Sequence, residues 1–420
     1  MPKRISDGYG GGRTAKPPRH VYLVLDDWSH GYSIREIDLP SDSNSGDSVQ
    51  FPPIQRFIGA SIERRLPPAV FRFEAQRGMP TYFAAAFDSK IMAMPPIAPA
   101  MSGLVPKRVV PVFDVHMRSV MFGPRQTPDP EDPIYIPVGG MLFALSTGSF
   151  QVLLKPSVES DPETWVWSWY QLPEPPFVCK NVTSYTVHPD GRTIFISIRK
   201  DGEAATFTFD TAEKTSMWKE HGSWMLPFSG RACFDCALDA WVGLSIDPGA
   251  IGQLCSCDVV PTFGTGDGQC PPVKLCKELV SENPVARRVG ATLLYMGNRS
   301  EFCLLECICI KDDPAGEMSD PAGEMNDGPA AEMKDDPAGE MKDDSVHDTS
   351  GDSGETSDED DSVGEMNGSR RSGYFFRLKT FFLMYDKNGD LKTGNLQVRC
   401  YEVPEAVSES ICKHPIAFSM

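Results

Sequence analysis

The side chains of this 420-residue chain that could do chemistry are its twelve cysteines, its seven histidines and a few glycine-rich, acidic and tryptophan motifs. Cys233-Phe-Asp-Cys236 has the two-residue gap of a zinc knuckle, and Cys255, Cys257, Cys303, Cys307 and Cys309 would be further thiolate donors. A structural zinc needs four donors on loops that converge tetrahedrally. Cys255 and Cys257 stand instead at strand spacing, as do Cys303, Cys307 and Cys309, so each set shares one face of a strand. Cysteine packed there behaves as a small hydrophobe. Structural thiols are therefore expected, with zinc at Cys233 and Cys236 as the open alternative.

The histidines, His20, His30, His116, His188, His221, His347 and His414, are scattered, and none belongs to a His-Glu-x-x-His pair. His188 falls in a turn, and His221, three residues before Trp224, is expected to cap a loop or pack on that indole. No Gly-x-Ser-x-Gly or phosphate-binding Gly-x-x-x-x-Gly-Lys pattern occurs. Gly264-Thr-Gly-Asp-Gly268 follows Pro261 in a loop and opens no helix, so it is no dinucleotide cradle. Asp386-Lys-Asn-Gly-Asp390 begins like a calcium loop, but Leu391 and Gln397 occupy the positions that need Gly and Glu. Asn388-Gly389 reads as a hairpin turn. Trp165, Trp167 and Trp169 lie at period two on one strand face, for packing between elements or, if exposed, for stacking a ligand. No catalytic, cofactor or metal residue is assigned, and no cofactor is expected.

Charge narrows the partner class. The formal net charge is −18. Residues 311–369 hold twenty acidic residues against three lysines, a net of −17, which leaves 37 basic and 38 acidic residues, a net of −1, elsewhere. That segment repeats Asp313-Pro-Ala-Gly-Glu-Met318 at Asp320–Met325 and Asp336–Met341, with almost no branched or aromatic side chains. It cannot offset the cost of ordering a chain, so a disordered acidic insert is expected over 311–372. Ser357, followed by Asp358, Glu359, Asp360 and Asp361, suits an acid-directed kinase. Residues 1–19 carry a net of +4 and read as a loose basic tail, and 41–50 read as a surface loop. Nothing in the composition calls for nucleic acid. No apolar run approaches membrane-spanning length. The start lacks the apolar stretch of a secretory signal, so a cytoplasmic or nuclear location is expected.

The remaining chain must supply the elements that position any site, and it reads as short strands. Val21–Leu25 and Tyr32–Ile37 flank a turn at Ser29–Gly31, and Val182–Val187 and Thr193–Ile198 flank His188–Gly191. Helical periodicity is confined to Pro271–Glu282. An apolar strand ends in Asp at Asp114, Asp210, Asp258 and Asp386; the first interval is 96 residues and the second 48. Strands stopped by Pro124, Pro173 and Pro227 are 49 and 54 residues apart. A period near 50 with about four strands per unit is the mark of a β-propeller blade. The strand-bearing residues, 20–310 and 373–405, number 324, enough for six blades or seven at roughly 50 residues each. The expected blades are 20–76, 81–124, 133–173, 182–227, 231–279 and 288–403, the last carrying the insert between its second and third strands. N-terminal strands would close the ring against the last blade, leaving 406–420 as a tail. The competing architecture is a pair of β-sandwiches. Val138-Gly-Gly-Met-Leu-Phe143 would be the double-glycine step of a kelch blade, small for close backbone approach.

With these blades in place, the chain resembles a plant, grass-expanded family of kelch-like proteins with a domain of unknown function. The resemblance lies in Trp167–Phe177, Thr183–Tyr185, Asp190–Ile194, Phe209–Thr211, Trp218–Phe228, Gly230–Ala232, Trp241–Ser245 and Leu396–Pro404, and runs from about Arg19 to Pro404. It implies a kelch-like all-β propeller and no activity, since that family has no established catalytic residues. Related kelch-like plant proteins often carry an F-box; the first strand here begins near His20, leaving no room ahead of it. The expected function is a non-enzymatic, monomeric propeller binding unknown protein partners, without nucleic acid or membrane. The alternatives are an enzyme, a hydrolase or kelch-type oxidase, with a site at the central opening, and a carbohydrate-binding module.

Overall fold

Val21-Tyr-Leu-Val-Leu25 shows how this sequence folds: five consecutive apolar residues suit a strand buried on both faces, and all five are buried. The structure is a computed structural model that describes residues 19–39, 65–75, 82–94, 109–154, 167–213, 217–262, 270–276, 278, 286–297, 300–310 and 373–420. The tail at 1–18, the loop at 41–50, Trp165, Gly264–Gly268 and the acidic insert with Ser357 and His347 lie outside the described residues.

Blade 1 begins with β1 (Arg19–Trp28), β2 (Gly31–Leu39) and β3 (Ala69–Glu74). Blade 2 comprises β4 (Tyr82–Ala86), β5 (Lys90–Met94), β6 (Val109–Asp114) and β7 (Ser119–Pro124). Blade 3 comprises β8 (Ile134–Val138), β9 (Met141–Ser146), β10 (Ser149–Leu154) and β11 (Ser168–Gln171). Blade 4 comprises β12 (Val182–Val187), β13 (Thr193–Lys200), β14 (Glu203–Asp210) and β15 (Lys219–Gly222). The two-residue β16 (Gly230–Arg231) then pairs parallel with the inner edge of β12. Blade 5 comprises β17 (Cys233–Asp235), β18 (Ala240–Leu244), β19 (Leu254–Asp258) and β20 (Val273–Leu275). Blade 6 comprises β21 (Ala286–Tyr295), β22 (Glu301–Ile310), β23 (Gly373–Tyr385) and β24 (Leu391–Glu402). The chain ends in α1 (Glu409–Lys413) and β25 (Ile416–Ser419), which pairs with β1 as the innermost strand of blade 1.

Six sheets therefore make six blades, not seven and not two sandwiches. Their packing closes the ring. One apolar core lies between each successive pair of blades, including one between blades 6 and 1. Val21, Leu23 and Leu25 enter the core shared with blade 6, while Tyr22 and Val24 enter the core shared with blade 2. This alternation is why β1 is apolar throughout.

The periodic markers are physical. Asp114, Asp210, Asp258 and Asp386 all terminate, or directly follow, the third strand of a blade. Asp114 accepts the amides of His116 and Met117, Asp210 that of Ala212, and Asp386 those of Asn388 and Asp390, so the carboxylate bends the chain toward the fourth strand. The proline markers close the outer strands and meet tryptophan from the next blade: Trp169 Nε1 donates to Pro124 O at 3.0 Å and Trp218 Nε1 to Pro173 O at 3.2 Å.

Three expectations are corrected. Val273–Leu275, within the stretch expected to be helical, forms an edge strand on β19; three residues paired to an existing sheet outweigh a weak helical period. The segment 406–420, expected as a tail, supplies α1 and β25, so the C-terminus completes the N-terminal blade and ring closure is the reverse of that expected. Gly139 and Gly140 are the β8–β9 turn, with φ of +55° and +76°; a Cβ at Gly140 would meet nothing within 4 Å, so backbone conformation rather than close approach calls for glycine. Blade 6 pairs Ile310 with Gly373, so the chain leaves and re-enters at adjacent points. Replacing 311–372 by a two-residue Asn-Gly turn is accordingly expected to shift Tm by less than about 3 °C, within surface-mutation scatter, in differential scanning fluorimetry. A larger loss would show that the blade depends on the segment.

Candidate functional site

The innermost strands β4, β8, β12, β17, β21 and β25, together with β16, surround an axial channel. Two cavities of about 520 and 620 Å³ occupy its halves. Both are lined by Ala85, Pro137, Tyr185, Arg231, Leu293, Leu294, Ala417 and Phe418, so these residues form a shared waist. Tyr185 and Arg231 are register partners in the parallel β12–β16 pairing, which sets their side chains on the same side. The Ala232 amide donates to Tyr185 O at 2.9 Å and pins the crossing. Burial pushes the Tyr185 phenol up, against the downward pull of the Arg231 guanidinium. The phenol is therefore neutral at pH 7.

Arg231 lines both halves; Asp88, on the β4–β5 turn, lines one. His188 lies at one end and His414 at the other, so they form no pair across the channel. His188 is engaged locally, its Nδ1 accepting the Asp190 amide at 3.2 Å and its ring stacking on Phe195. Among the described residues neither the Tyr185 hydroxyl nor the Cys233 thiol hydrogen-bonds a histidine or carboxylate. Arg231 and the neutral Tyr185 phenol thus stand at the waist, with Asp88 and Tyr295 lining one half.

The sequence candidates occupy other places. Cys233 is half-buried on β17 and Cys236 exposed in the following turn. Cys255 and Cys257 are buried between blades 4 and 5, and Cys303 and Cys307 between blades 6 and 1. Burial holds the Cys255 thiol up at about 12 and the Cys179 thiol at about 11, so both are protonated. Trp167 packs edge-to-face on Phe87 between blades 2 and 3, and Trp169 donates to Pro124 O. His221 packs on Trp224 and contacts Pro261 O at 2.8 Å. The Asp386 carboxylate is spent inside its own turn.

Sequence reading missed two clusters. His20 Nδ1 lies 2.7 Å from Asp38 and 3.1 Å from Glu36, the one group of three metal-capable side chains among the described residues. Tyr22 donates to Glu36 at 3.0 Å and Arg118 pairs with it, so protein donors already satisfy that carboxylate. The register His20↔Asp38 and Tyr22↔Glu36 was the available signal. The second is the outer edge of blade 2. Among the described residues β7 is hydrogen-bonded only to β6, and the residues around it are apolar and exposed: Met117 at 74%, Phe122 at 71%, with Val109, Val120 and Met121 also exposed. Val120 and Phe122 lie opposite Phe113 and Pro111, on the face turned toward blade 1, and Val109 shares it.

The sequence matches the family described as "Protein of unknown function (DUF1668)" over residues 18–400. The chain belongs to the DUF1668 family. No curated protein matches it. Among solved structures, this family member is similar to the Cps50 (Swd1) beta-propeller domain of Myceliophteria thermophila, at 10% identity and a TM-score of 0.25, over 40% of this chain. It spans about half of that chain, 51%. So distant a likeness carries no argument; the propeller assignment of this DUF1668 chain rests on its own six sheets and six cores. No helix among the described residues is long and apolar enough to cross a membrane.

Proposed function

We propose that this protein is a non-enzymatic, monomeric interaction module that engages a protein partner along the outer edge of blade 2. The exposed apolar strip Val109–Val120–Phe122 on an open edge strand supports this reading. An edge strand has free backbone donors and acceptors, and natural proteins blunt such edges with charge, proline or cover. Here Ser119, Val120, Met121 and Phe122 are all exposed and none is charged. A contiguous apolar patch of this kind marks an interface, and an extended partner segment could both bury the side chains and pair with the strand. The kelch-like character implied by the resemblance fits such a role, because propellers commonly serve as scaffolds.

Affinity capture with quantitative mass spectrometry tests the reading. The full chain is compared with a Val120→Glu/Phe122→Glu variant, whose surface positions should leave Tm within about 2 °C. The wild type is expected to retain a reproducible stoichiometric partner and the variant to lose it by at least about tenfold, the scale of one lost hot spot. Equal capture by both, or no specific partner of the wild type, contradicts the reading.

A further inference from the structure

We infer that the axial channel is a binding site for a small organic anion, a molecule bearing a carboxylate or phosphate group, gripped at the waist by Arg231. Among the described residues no carboxylate lies within ion-pairing distance of this guanidinium and no acceptor takes its hydrogen bonds. Arginines elsewhere in the blades are neutralised: Arg35 by Asp27, Arg288 and Arg377 by Glu306, Arg125 by Asp129. Other unpaired arginines among the described residues, such as Arg287, are exposed and line neither cavity. Arg231, itself exposed, lines both halves of the channel, whose walls focus its field on whatever enters.

The surroundings define the ligand. The guanidinium fork matches a planar carboxylate or a phosphate with two parallel hydrogen bonds. The neutral Tyr185 phenol beside it supplies a further donor. Leu293, Leu294, Pro137 and Phe418 at the same level give apolar flanks for a carbon skeleton. The cavity halves, about 520 and 620 Å³, each have the size of a small-molecule site. Asp88 lines only the half that ends at the β4–β5 turn, so an anion in the other half meets Arg231 without an opposing carboxylate among the lining residues. This site is separate from the blade 2 edge and does not depend on it.

Isothermal titration calorimetry on the full chain, with citrate and inorganic pyrophosphate as probes and low chloride, tests the inference. At least one probe should bind saturably with one site per chain; citrate alone identifies a carboxylate ligand and pyrophosphate alone a phosphate. Arg231→Met should weaken binding at least about tenfold, the scale of a charge-assisted bidentate contact, and Arg231→Lys should fall between. Arg287→Met should bind like wild type. Because Arg231 has no ion-pair or hydrogen-bond partner among the described residues, Arg231→Met should fold with Tm within about 2 °C of wild type. Bound probe should also protect Arg231 from phenylglyoxal in peptide mass spectra. Absence of saturable binding for both probes, or undiminished affinity in Arg231→Met, overturns the inference.

Discussion

A chain ending at Glu405 is expected to lose cooperative folding. The missing residues carry α1 and β25, and β25 pairs with β1 through Val21↔Ser419, Tyr22↔Phe418, Leu23↔Ala417 and Val24↔Ile416. Without β25, blade 1 keeps three strands, and the inner edge of β1, otherwise buried, opens to the channel. Ile411, Cys412 and Ala417 leave the core between blades 6 and 1, and Phe418 leaves that between blades 1 and 2. Burial of these side chains is worth on the order of 5 kcal/mol together, comparable with the whole stability of many domains. The ring would also lose the element that joins its two ends. Circular dichroism and scanning fluorimetry should show a broad, early transition or none; a sharp transition at the wild-type Tm would contradict C-terminal closure. Gly290→Val offers a point-substitution version. A Cβ at Gly290 would stand 2.2 Å from Lys413 O and 2.5 Å from Cys412 O, so the end of α1 must move away from β21. Backbone cannot yield as a side-chain tip does, and a loss of about 2–4 kcal/mol is expected.

The second large effect is expected at Glu306. This carboxylate is fully buried in β22 and faces three cations: Arg288 at 2.7 Å, Arg377 at 2.9 Å and Lys379 at 2.9 Å. Arg288 also donates to Gly252 O, so the cluster ties blade 6 to blade 5. Burial alone would raise the Glu306 pKa; Lys379, Arg377 and Arg288 together outweigh it and hold the carboxyl below its ordinary value near 4.5. Removing the anion leaves three cations close together with no counter-charge, two of them largely buried. Glu306→Ala should therefore cost about 3–5 kcal/mol, more than a typical core truncation of similar size. Glu306→Gln keeps the volume and loses the charge, so it should recover little. The sign of the pH dependence follows from the lowered pKa. The stabilisation is complete above the unfolded-state value near 4.5 and is lost as pH falls through the folded-state value. Urea unfolding across the acid range should show wild-type stability falling below that pH, with a visibly smaller acid slope in Glu306→Gln. Identical slopes would assign the acid sensitivity to other groups.

The ring was legible because each blade repeats the same physical solution. A strand buried on both faces reads as a near-continuous apolar run, as Val21–Leu25 and Ile194–Ile196 do. At Asp114, Asp210 and Asp386 the aspartate that ends a third strand caps the turn after it, and Asp258 ends its strand at the same place in the period. β25 escaped because it is four residues long and pairs with a strand at the other end of the chain, outside any period. Ser408, which accepts the Ile411 amide as the N-cap of α1, was a readable signal for a helix too short to show periodicity. The exposure of Val120 and Phe122 depends on β7 being outermost in its blade, which no local pattern reveals. Arg231 has even less signature: one arginine after a glycine gains meaning only when six inner strands converge around it.

Hydrogen–deuterium exchange at peptide resolution on the full chain, alone and in complex with its captured partner, tests the interaction reading most directly. In the free protein, peptides covering Ser119–Phe122 should exchange fast, as an exposed edge does, while β13, buried along most of its length, stays protected. In the complex, exchange over Val109–Pro124 should slow by at least about tenfold with β13 unchanged. Unchanged exchange over Val109–Pro124, with protection confined to another blade, would contradict an interface at the outer edge of blade 2.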